Sequence, residues 1–232
     1  RRNPLVAQVQ KTGEHEGKPY AFFFLVEGER LDLKLSTLNT RTRRRISSSI
    51  GKTLAQIHAH PYPNFDKPVD NGVIPYASWK DRFFAGSEGL LRANQGAGTL
   101  SPETIQRVRT FFHISEDLLD QETEAVLVHN DFWAGNILAI GEEITGLVDF
   151  EWSTNSPATY DFVKMYRWHI PQTLDEDAFL EGYKEQRQIP AHFREALDLY
   201  TVLQNLHFLL VLKRTKQAEL QDYQRRFTER FH

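Results

Sequence analysis

The sequence predicts an α+β fold that is mainly helical, with short strands at its beginning and again past its midpoint. Residues 5–9 and 20–26 are apolar and aromatic runs with a strong strand preference. From about residue 40 the apolar residues recur every three or four positions, as they do in an amphipathic helix. Short apolar runs return over residues 125–148, and helical spacing resumes after them. This order of elements is typical of an α+β fold.

The first two runs are expected to pair as a β-hairpin. Polar residues 11–19, which include two glycines, separate the runs and supply the predicted turn. Gly28 ends the second run, and residues 27–30 read as a polar connector.

The helical regions carry recognisable signals. Apolar residues at steps of four, four and three positions predict the first helix: Ile46, Ile50, Leu54 and Ile57. Ser101, Pro102 and Glu103 form a helix start, with a capping hydroxyl, a first-turn proline and an acid at the positive end of the helix dipole. Further helices are predicted over residues 77–93, 101–120, 158–169, 174–187, 191–213 and 215–230, with a glycine-rich loop over 94–100.

Composition and charge argue against several functional classes. The 232 residues carry a formal net charge of −3, so no nucleic-acid partner held by phosphate neutralisation is expected. The sequence has no run of 18 apolar residues and no cysteine, so neither a membrane span nor a thiolate metal site is expected. The first residues lack the apolar core of a signal peptide, and we expect a cytoplasmic protein. The oligomeric state stays open.

One segment carries the chemistry. His129, Asp131 and Asn136 follow the spacing H-x-D-x-x-x-x-N, and after a predicted hairpin a second apolar strand ends in Asp149 and Phe150. Phosphoryl transfer from ATP needs one carboxylate to accept the proton of the attacking hydroxyl. It also needs an amide oxygen and a second carboxylate to hold Mg²⁺ against the phosphates. A loop between strands can present Asp131 and Asn136, and the hairpin that follows brings Asp149 back beside them.

This segment resembles the active site of the aminoglycoside phosphotransferase and choline kinase superfamily, whose members are relatives of the protein kinases. The resemblance is sharpest across residues 127–161, where Pro157, Tyr160 and Asp161 follow the second strand. It implies a protein-kinase-like fold. Residues 1–32 would be a remnant of the β-rich N-terminal lobe and hinge, and residues 33–232 would form the helical C-terminal lobe.

The resemblance also implies roles for matching residues. Asp131 would be the catalytic base, and Asn136 and Asp149 would bind magnesium. A plainer interpretation is that Asp131 and Asn136 only cap a turn, since both residue types favour turns, and that Asp149 is a surface residue at a strand end.

Three further residues would support the site without doing chemistry. By the resemblance, His129 would pack the loop under the metal-binding aspartate, and Asp161 would hold the loop backbone from the following helix. His58 matches a histidine that supports the same network in the family. The plainer alternatives are a helix cap for Asp161 and a buried core histidine for His58.

Phe24 and Val26 resemble hinge residues whose backbone groups would hydrogen-bond the adenine of ATP. The alternative is an ordinary hydrophobic strand. The phosphate acceptor is expected to be a small molecule with a hydroxyl group, such as an amino sugar or a choline-like alcohol. Glu151 and Trp133 are candidates to contact it, although acids usually face solvent and aromatics usually belong to the core.

The sequence departs from the family pattern at its start. No glycine-rich phosphate loop occurs before residue 28, and neither Lys11 nor Lys18 can be assigned as the phosphate-binding lysine. We therefore expect a fragment of a longer ATP-dependent phosphotransferase, inactive or impaired as given. The alternative is a non-catalytic kinase-like protein that binds a nucleotide or metabolite.

Overall fold

The computed structural model describes residues 5–66, 76 and 78–231, which form two compact units. The first unit contains the described residues up to Pro61, with Val126–Thr154 and Lys164–Pro190. The second contains the described residues of Tyr62–Ala125, Asn155–Val163 and Ala191 onward. The expected division into residues 1–32 and 33–232 stays a prediction.

The regular elements follow one another as a β-rich start, a helical middle, a group of short strands and a helical end. In chain order they are β1 (Val9–His15), β2 (Lys18–Phe23), β3 (Glu29–Arg30), α1 (Thr40–His58), β4 (Pro61–Tyr62), α2 (Trp79–Ala97), α3 (Pro102–Ile114), α4 (Glu116–Asp120), β5 (Ala125–Val128), β6 (Ile137–Ile140), β7 (Glu143–Leu147), β8 (Thr154–Ser156), α5 (Phe162–Trp168), α6 (Glu176–Lys184), α7 (Phe193–Thr215) and α8 (Gln217–Glu229). No helix in the described part of the chain is both long and apolar enough to cross a bilayer.

The predicted N-terminal hairpin is confirmed, but its turn is much tighter than expected. Strands β1 and β2 pair antiparallel as far as His15 opposite Lys18, which leaves only Glu16 and Gly17 in the turn. Both turn residues have positive φ, 51° and 75°, as a two-residue hairpin turn requires. The predicted turn over 11–19 was wrong because polar side chains are compatible with a strand whose faces are both exposed.

A second small sheet holds the chain that follows the hairpin. Strands β3, β6 and β7 pair in that order, and both pairings are antiparallel. Just before β3, Gly28 has φ 135°, and a Cβ there would lie 2.6 Å from the Thr145 hydroxyl oxygen of β7. That hydroxyl donates to the Glu27 carbonyl at 2.6 Å. The segment before β3 is therefore fixed against the β6–β7 hairpin.

Helix α1 is the main helix of the first unit and packs on α6. It begins after Asn39, whose side chain accepts a hydrogen bond from the Thr42 amide at 3.0 Å. The predicted apolar face is confirmed, since these side chains are at most 2% exposed: Ile46, Ile50, Leu54 and Ile57. Glycines at the crossing, Gly51 in α1 and Gly182 in α6, let the two backbones approach closely.

The second unit has an aromatic core. Helices α2, α3 and α7 contribute buried aromatic side chains to it: Trp79, Phe83, Phe112 and Tyr200. Helix α3 starts as predicted, with Ser101 accepting from the Thr104 amide at 3.1 Å. The predicted helix over 101–120 is interrupted at Ser115, where α3 ends and the short α4 begins.

Helix α2 is longer than the sequence predicted. The expected loop over 94–100 was wrong at its start, because α2 continues to Ala97 and ends at Gly98 in the left-handed conformation. The Asn94 side chain is fully buried and donates to the carbonyls of Leu90 and Leu206, at 2.8 and 2.9 Å. These bonds satisfy a buried amide, so Asn94 is accommodated in the helix.

Candidate active site

The loop between β5 and β6 carries Asp131 and Asn136. Buried strands hold both of its ends, and the Asp131 side chain is about one-fifth exposed. The Asn136 Nδ2 group donates to the Asp131 carbonyl at 2.9 Å and to the Asp131 carboxylate oxygen Oδ2 at 2.8 Å. Because Nδ2 makes both bonds, the amide oxygen of Asn136 is left to act as a ligand.

His129 holds this loop against the strand that precedes Asp149. Its Nε2 donates to the Val148 carbonyl at 2.9 Å, and its Nδ1 accepts from the Asp131 amide at 3.3 Å. One ring nitrogen donates and the other accepts, so the imidazole is the neutral Nε2–H tautomer. The ring is fully buried and lies 4.3 Å from the Phe150 ring centroid. His129 therefore has contacts suited to a structural role.

Asp149 lies next to the same loop in an uncommon backbone conformation. Its φ and ψ are 67° and 58°, in the left-handed region. The preceding residue, Val148, donates its amide to the Asn136 carbonyl at 3.1 Å. A non-glycine residue in this region costs free energy, less for aspartate than for most residues, and such residues cluster at functional sites and in turns. The fold thus brings the chain at Asp149 beside the chain at Asn136.

The donor set of Asn136 and Asp149 fits a magnesium ion that is shared with a substrate. Both side chains offer hard oxygen atoms, and magnesium takes one or two carboxylates with phosphate oxygens and water as its other ligands. Within residues 5–66, 76 and 78–231 there is no group of three His, Cys, Asp or Glu side chains that could hold a metal ion. An ion at these two residues would accordingly depend on ligands from a bound nucleotide.

A cavity of about 850 Å³ lies beside Asp149 in the first unit. Its walls are mostly apolar and include Phe24, Val26, Leu138, Phe150 and, at the polar end, Asp149 and Glu151. An apolar cleft with a few polar groups at one end suits a flat aromatic ring with a charged tail. The structure therefore brings the two predicted hinge residues and Asp149 to one cavity.

In the predicted hinge residues, Phe24 and Val26, one backbone group already makes a hydrogen bond within the protein. The Phe24 amide donates to the Gln8 carbonyl at 2.9 Å, so its carbonyl is the group left for a ligand. The Val26 side chain lies against β7, where a Cβ on Gly146 would come within 2.3 Å of Val26 Cγ1. A side chain at position 146 would therefore collide with Val26 as it lies in the cavity wall.

His58 and Asp161 both have buried side chains. His58 Nδ1 is 2.9 Å from the Tyr183 hydroxyl, and the His58 carbonyl accepts from Arg187 at 2.7 Å. Asp161 is buried at the end of a 3₁₀ turn over Ala158–Asp161, in the second unit. Their supporting roles stay predictions.

Trp133 lies in the loop between Asp131 and Asn136, and neighbouring groups pack against its ring. The Arg30 guanidinium lies 5.9 Å from the ring centroid, and the His169 ring stacks almost parallel to it, at 6.2 Å and 7°. The indole also covers Gly135, where a Cβ would lie 2.4 Å from the ring. These contacts suit a residue that holds the loop, and contact of Trp133 with an acceptor stays a prediction.

Sequence reasoning missed two residues that contact the loop, Lys164 and His169. The Lys164 ammonium forms an ion pair with Asp131 Oδ1. His169 Nε2 accepts from the Ala134 amide at 3.2 Å, and burial lowers the pKa of His169, against an opposing effect of Asp32. Each lies more than 30 positions after the loop residue that it contacts, and no spacing rule connects such positions.

The comparisons with known proteins point to one family. The sequence model of the "Phosphotransferase enzyme family" matches residues 2–199. A homoserine kinase of Methylorubrum populi is 26% identical over 180 residues, which are 75% of this chain and 50% of that protein. A homoserine kinase of Rhodopseudomonas palustris is 30% identical over 169 residues, 70% of this chain and 49% of that one. The chain spans about half the length of these curated relatives.

Solved structures show the same fold. A complex of aminoglycoside phosphotransferase APH(4)-Ia with AMP-PNP and hygromycin B matches with a TM-score of 0.69 and 16% identity. The match covers 100% of this chain and 78% of that one. The gentamicin complex of APH(2")-IIa gives 0.68 and 17%, covering 97% and 74%. The likeness confirms the α+β, protein-kinase-like fold that the sequence predicts.

Proposed function

Because this chain belongs to the phosphotransferase enzyme family, we propose that it moves the γ-phosphoryl group of ATP to a hydroxyl of a small molecule. The observation that carries the proposal is the hydrogen-bonded pair of Asp131 and Asn136, with Asp149 alongside. A magnesium ion, when bound, would neutralise charge on the phosphates. Asn136 and Asp149 are the residues proposed to hold it.

In the proposed reaction Asp131 orients the acceptor hydroxyl and takes its proton. The hydroxyl oxygen then attacks the γ-phosphorus directly. The bond between the γ-phosphorus and the bridging oxygen breaks, and its electron pair stays on ADP. Positioning and charge stabilisation carry such reactions, so no covalent enzyme intermediate is involved. The apolar cavity between Phe24, Val26 and Phe150 is proposed to hold the adenine. His129 and Trp133 keep the loop in place through their contacts.

The names of the relatives support one class of acceptor. Homoserine carries an amine and a hydroxyl, and so do the aminoglycosides gentamicin and hygromycin B. We therefore propose an amine-bearing hydroxyl compound as acceptor, with Glu151 as a carboxylate that lines the cavity.

A second candidate, a non-catalytic nucleotide or metabolite binder, is favoured by one observation. The lysines described before Gly28 are Lys11 and Lys18, and both lie exposed on the β1–β2 hairpin. Neither is suited to clamp a triphosphate. We accordingly propose that the 232 residues alone transfer phosphate slowly or not at all, and that the assay should include a protein extended before Arg1.

The test is ADP release with magnesium and ATP against homoserine, aminoglycosides, amino sugars and choline-like alcohols. Acceptor-dependent turnover is expected to fall about 10²–10⁴-fold in Asp131→Asn, the usual contribution of a general base. Asp117→Asn, an exposed aspartate in α4, is the matched control and should leave turnover unchanged. Nucleotide binding with no turnover of any acceptor would favour the binder, and turnover that survives Asp131→Asn would refute Asp131 as the base.

A further inference from the structure

The ion pair between Lys164 and Asp131 connects α5 to the proposed catalytic base. Lys164 meets carboxylate oxygen Oδ1, while Asn136 Nδ2 donates to Oδ2 at 2.8 Å. Both charged side chains are mostly buried, with 28% of Lys164 and 21% of Asp131 exposed. Each oxygen of the carboxylate thus has a donor of its own, which fixes the plane of the carboxylate. Its remaining lone pairs are left to accept a hydroxyl proton.

The charge of Lys164 matters as much as its hydrogen bond. A bound triphosphate would bring several negative charges close to the carboxylates of Asp131 and Asp149. Like charges in a partly desolvated site repel strongly, and salt screens such sites less than it screens the surface. An ammonium paired with Asp131 offsets that repulsion at the residue that must approach the transferring group.

We infer that Lys164 is a positioning residue for the phosphoryl transfer: it orients Asp131 and offsets its charge so that the triphosphate and the acceptor hydroxyl can meet there. This inference rests on the proposed function. Lys164 keeps its own protons throughout, because the hydroxyl proton passes to Asp131 and the breaking bond leaves its electrons on ADP.

Lys52 provides a matched comparison within the same unit. It pairs with Glu185 at 3.0 Å, but the two side chains are 42% and 55% exposed. Pairs this exposed contribute little to stability or function. Lys52→Met therefore removes the same kind of charge in a position where no effect on the site is expected.

The test compares the affinities of Mg·AMP-PNP and Mg·ADP by calorimetry, on whichever protein form binds Mg·ADP, with or without residues before Arg1. Lys164→Met should weaken AMP-PNP about fivefold or more relative to ADP, since only AMP-PNP carries the third phosphate group. Lys52→Met should stay within about twofold of the wild type. Lys164→Arg keeps the positive charge but not the geometry of the ammonium, so it should change the ratio less than Lys164→Met does. Asp131→Asn added to Lys164→Met should restore the ratio, because it removes the charge that Lys164 offsets.

The outcomes separate this inference from the proposed function. If Lys164→Met leaves the ratio of AMP-PNP to ADP affinity unchanged, including by weakening both nucleotides equally, Lys164 has only a structural role and the inference is overturned. If no form of the wild-type protein binds Mg·ADP, the proposed function fails and the inference fails with it.

Discussion

The crossing of α1 and α6 depends on two glycines, and adding one methyl group there should destabilise the first unit. A Cβ on Gly51 would lie 2.0 Å from the Phe179 carbonyl oxygen, and one on Gly182 would lie 2.1 Å from the Ser48 carbonyl oxygen. Backbone atoms cannot rotate away, so Gly51→Ala forces the helices apart by roughly 1 Å or more. Overpacking of this kind costs about 1–3 kcal/mol, which the better helix propensity of alanine offsets by about 1 kcal/mol.

The net loss of up to about 2 kcal/mol corresponds to a fall in Tm of up to about 8 °C for a chain of this size. The assay is thermal unfolding followed by circular dichroism, with urea midpoints as a second measure. Gly89→Ala in α2 is the control, because a Cβ there meets nothing within 4 Å and should leave stability equal or higher. Adding Gly182→Ala to Gly51→Ala should cost less than the sum, since one displacement relieves both clashes. A Gly51→Ala protein as stable as Gly89→Ala would refute the close approach.

Three more substitutions test the structure. Burial raises the pKa of Glu122 and outweighs the hydrogen bond from Tyr200, which lowers it. Because the pKa in the folded state is above the ordinary value of 4.5, stability should decline as the pH rises above 4.5. Glu122→Gln should flatten that decline, as measured by urea midpoints. Burial lowers the pKa of His169, so the unfolded state takes up a proton more readily than the folded state, and stability should fall as the pH drops below about 6.5. Protonation in the folded state would also remove the acceptor of the hydrogen bond from the Ala134 amide. His169→Gln should show a weaker pH dependence of stability, and an unchanged dependence would contradict this argument. Ser101→Ala should cost about 1 kcal/mol in the free energy of unfolding by removing the cap of α3, with Ser101→Gly losing only a few tenths.

The parts of the fold that local chemistry determines could be predicted from the sequence. The start of α3 at Ser101, the apolar face of α1 and the three short strands β5 to β7 follow from neighbouring residues alone. The extension of α2 through Asn94 could not be predicted, because the Leu206 carbonyl that Asn94 binds lies 112 residues away. The tight turn at Glu16 was missed because a fully exposed hairpin lacks the alternating pattern that marks strand ends.

In the candidate site too, some residues could be predicted from the sequence and others could not. Asp131, Asn136 and Asp149 lie within 20 residues of one another, so a motif can contain them all. Lys164 and His169 reach the same loop from a later helix and the turn after it, and only the folded chain shows their contacts. Their residue types are common on helices, so no signal in the sequence set them apart.

The packing of Trp133 gives the loop an optical reporter of its own. The chain has four tryptophans, and this one lies near a guanidinium and an imidazole, in the same loop as the proposed base. Indole emission responds to neighbouring charges and to solvent, so a displacement of Arg30 or His169 would alter the intrinsic fluorescence of Trp133. Emission spectra of a variant that keeps Trp133 as its sole tryptophan would then report directly on whether the loop is ordered, without a fluorescent label and without a phosphate acceptor.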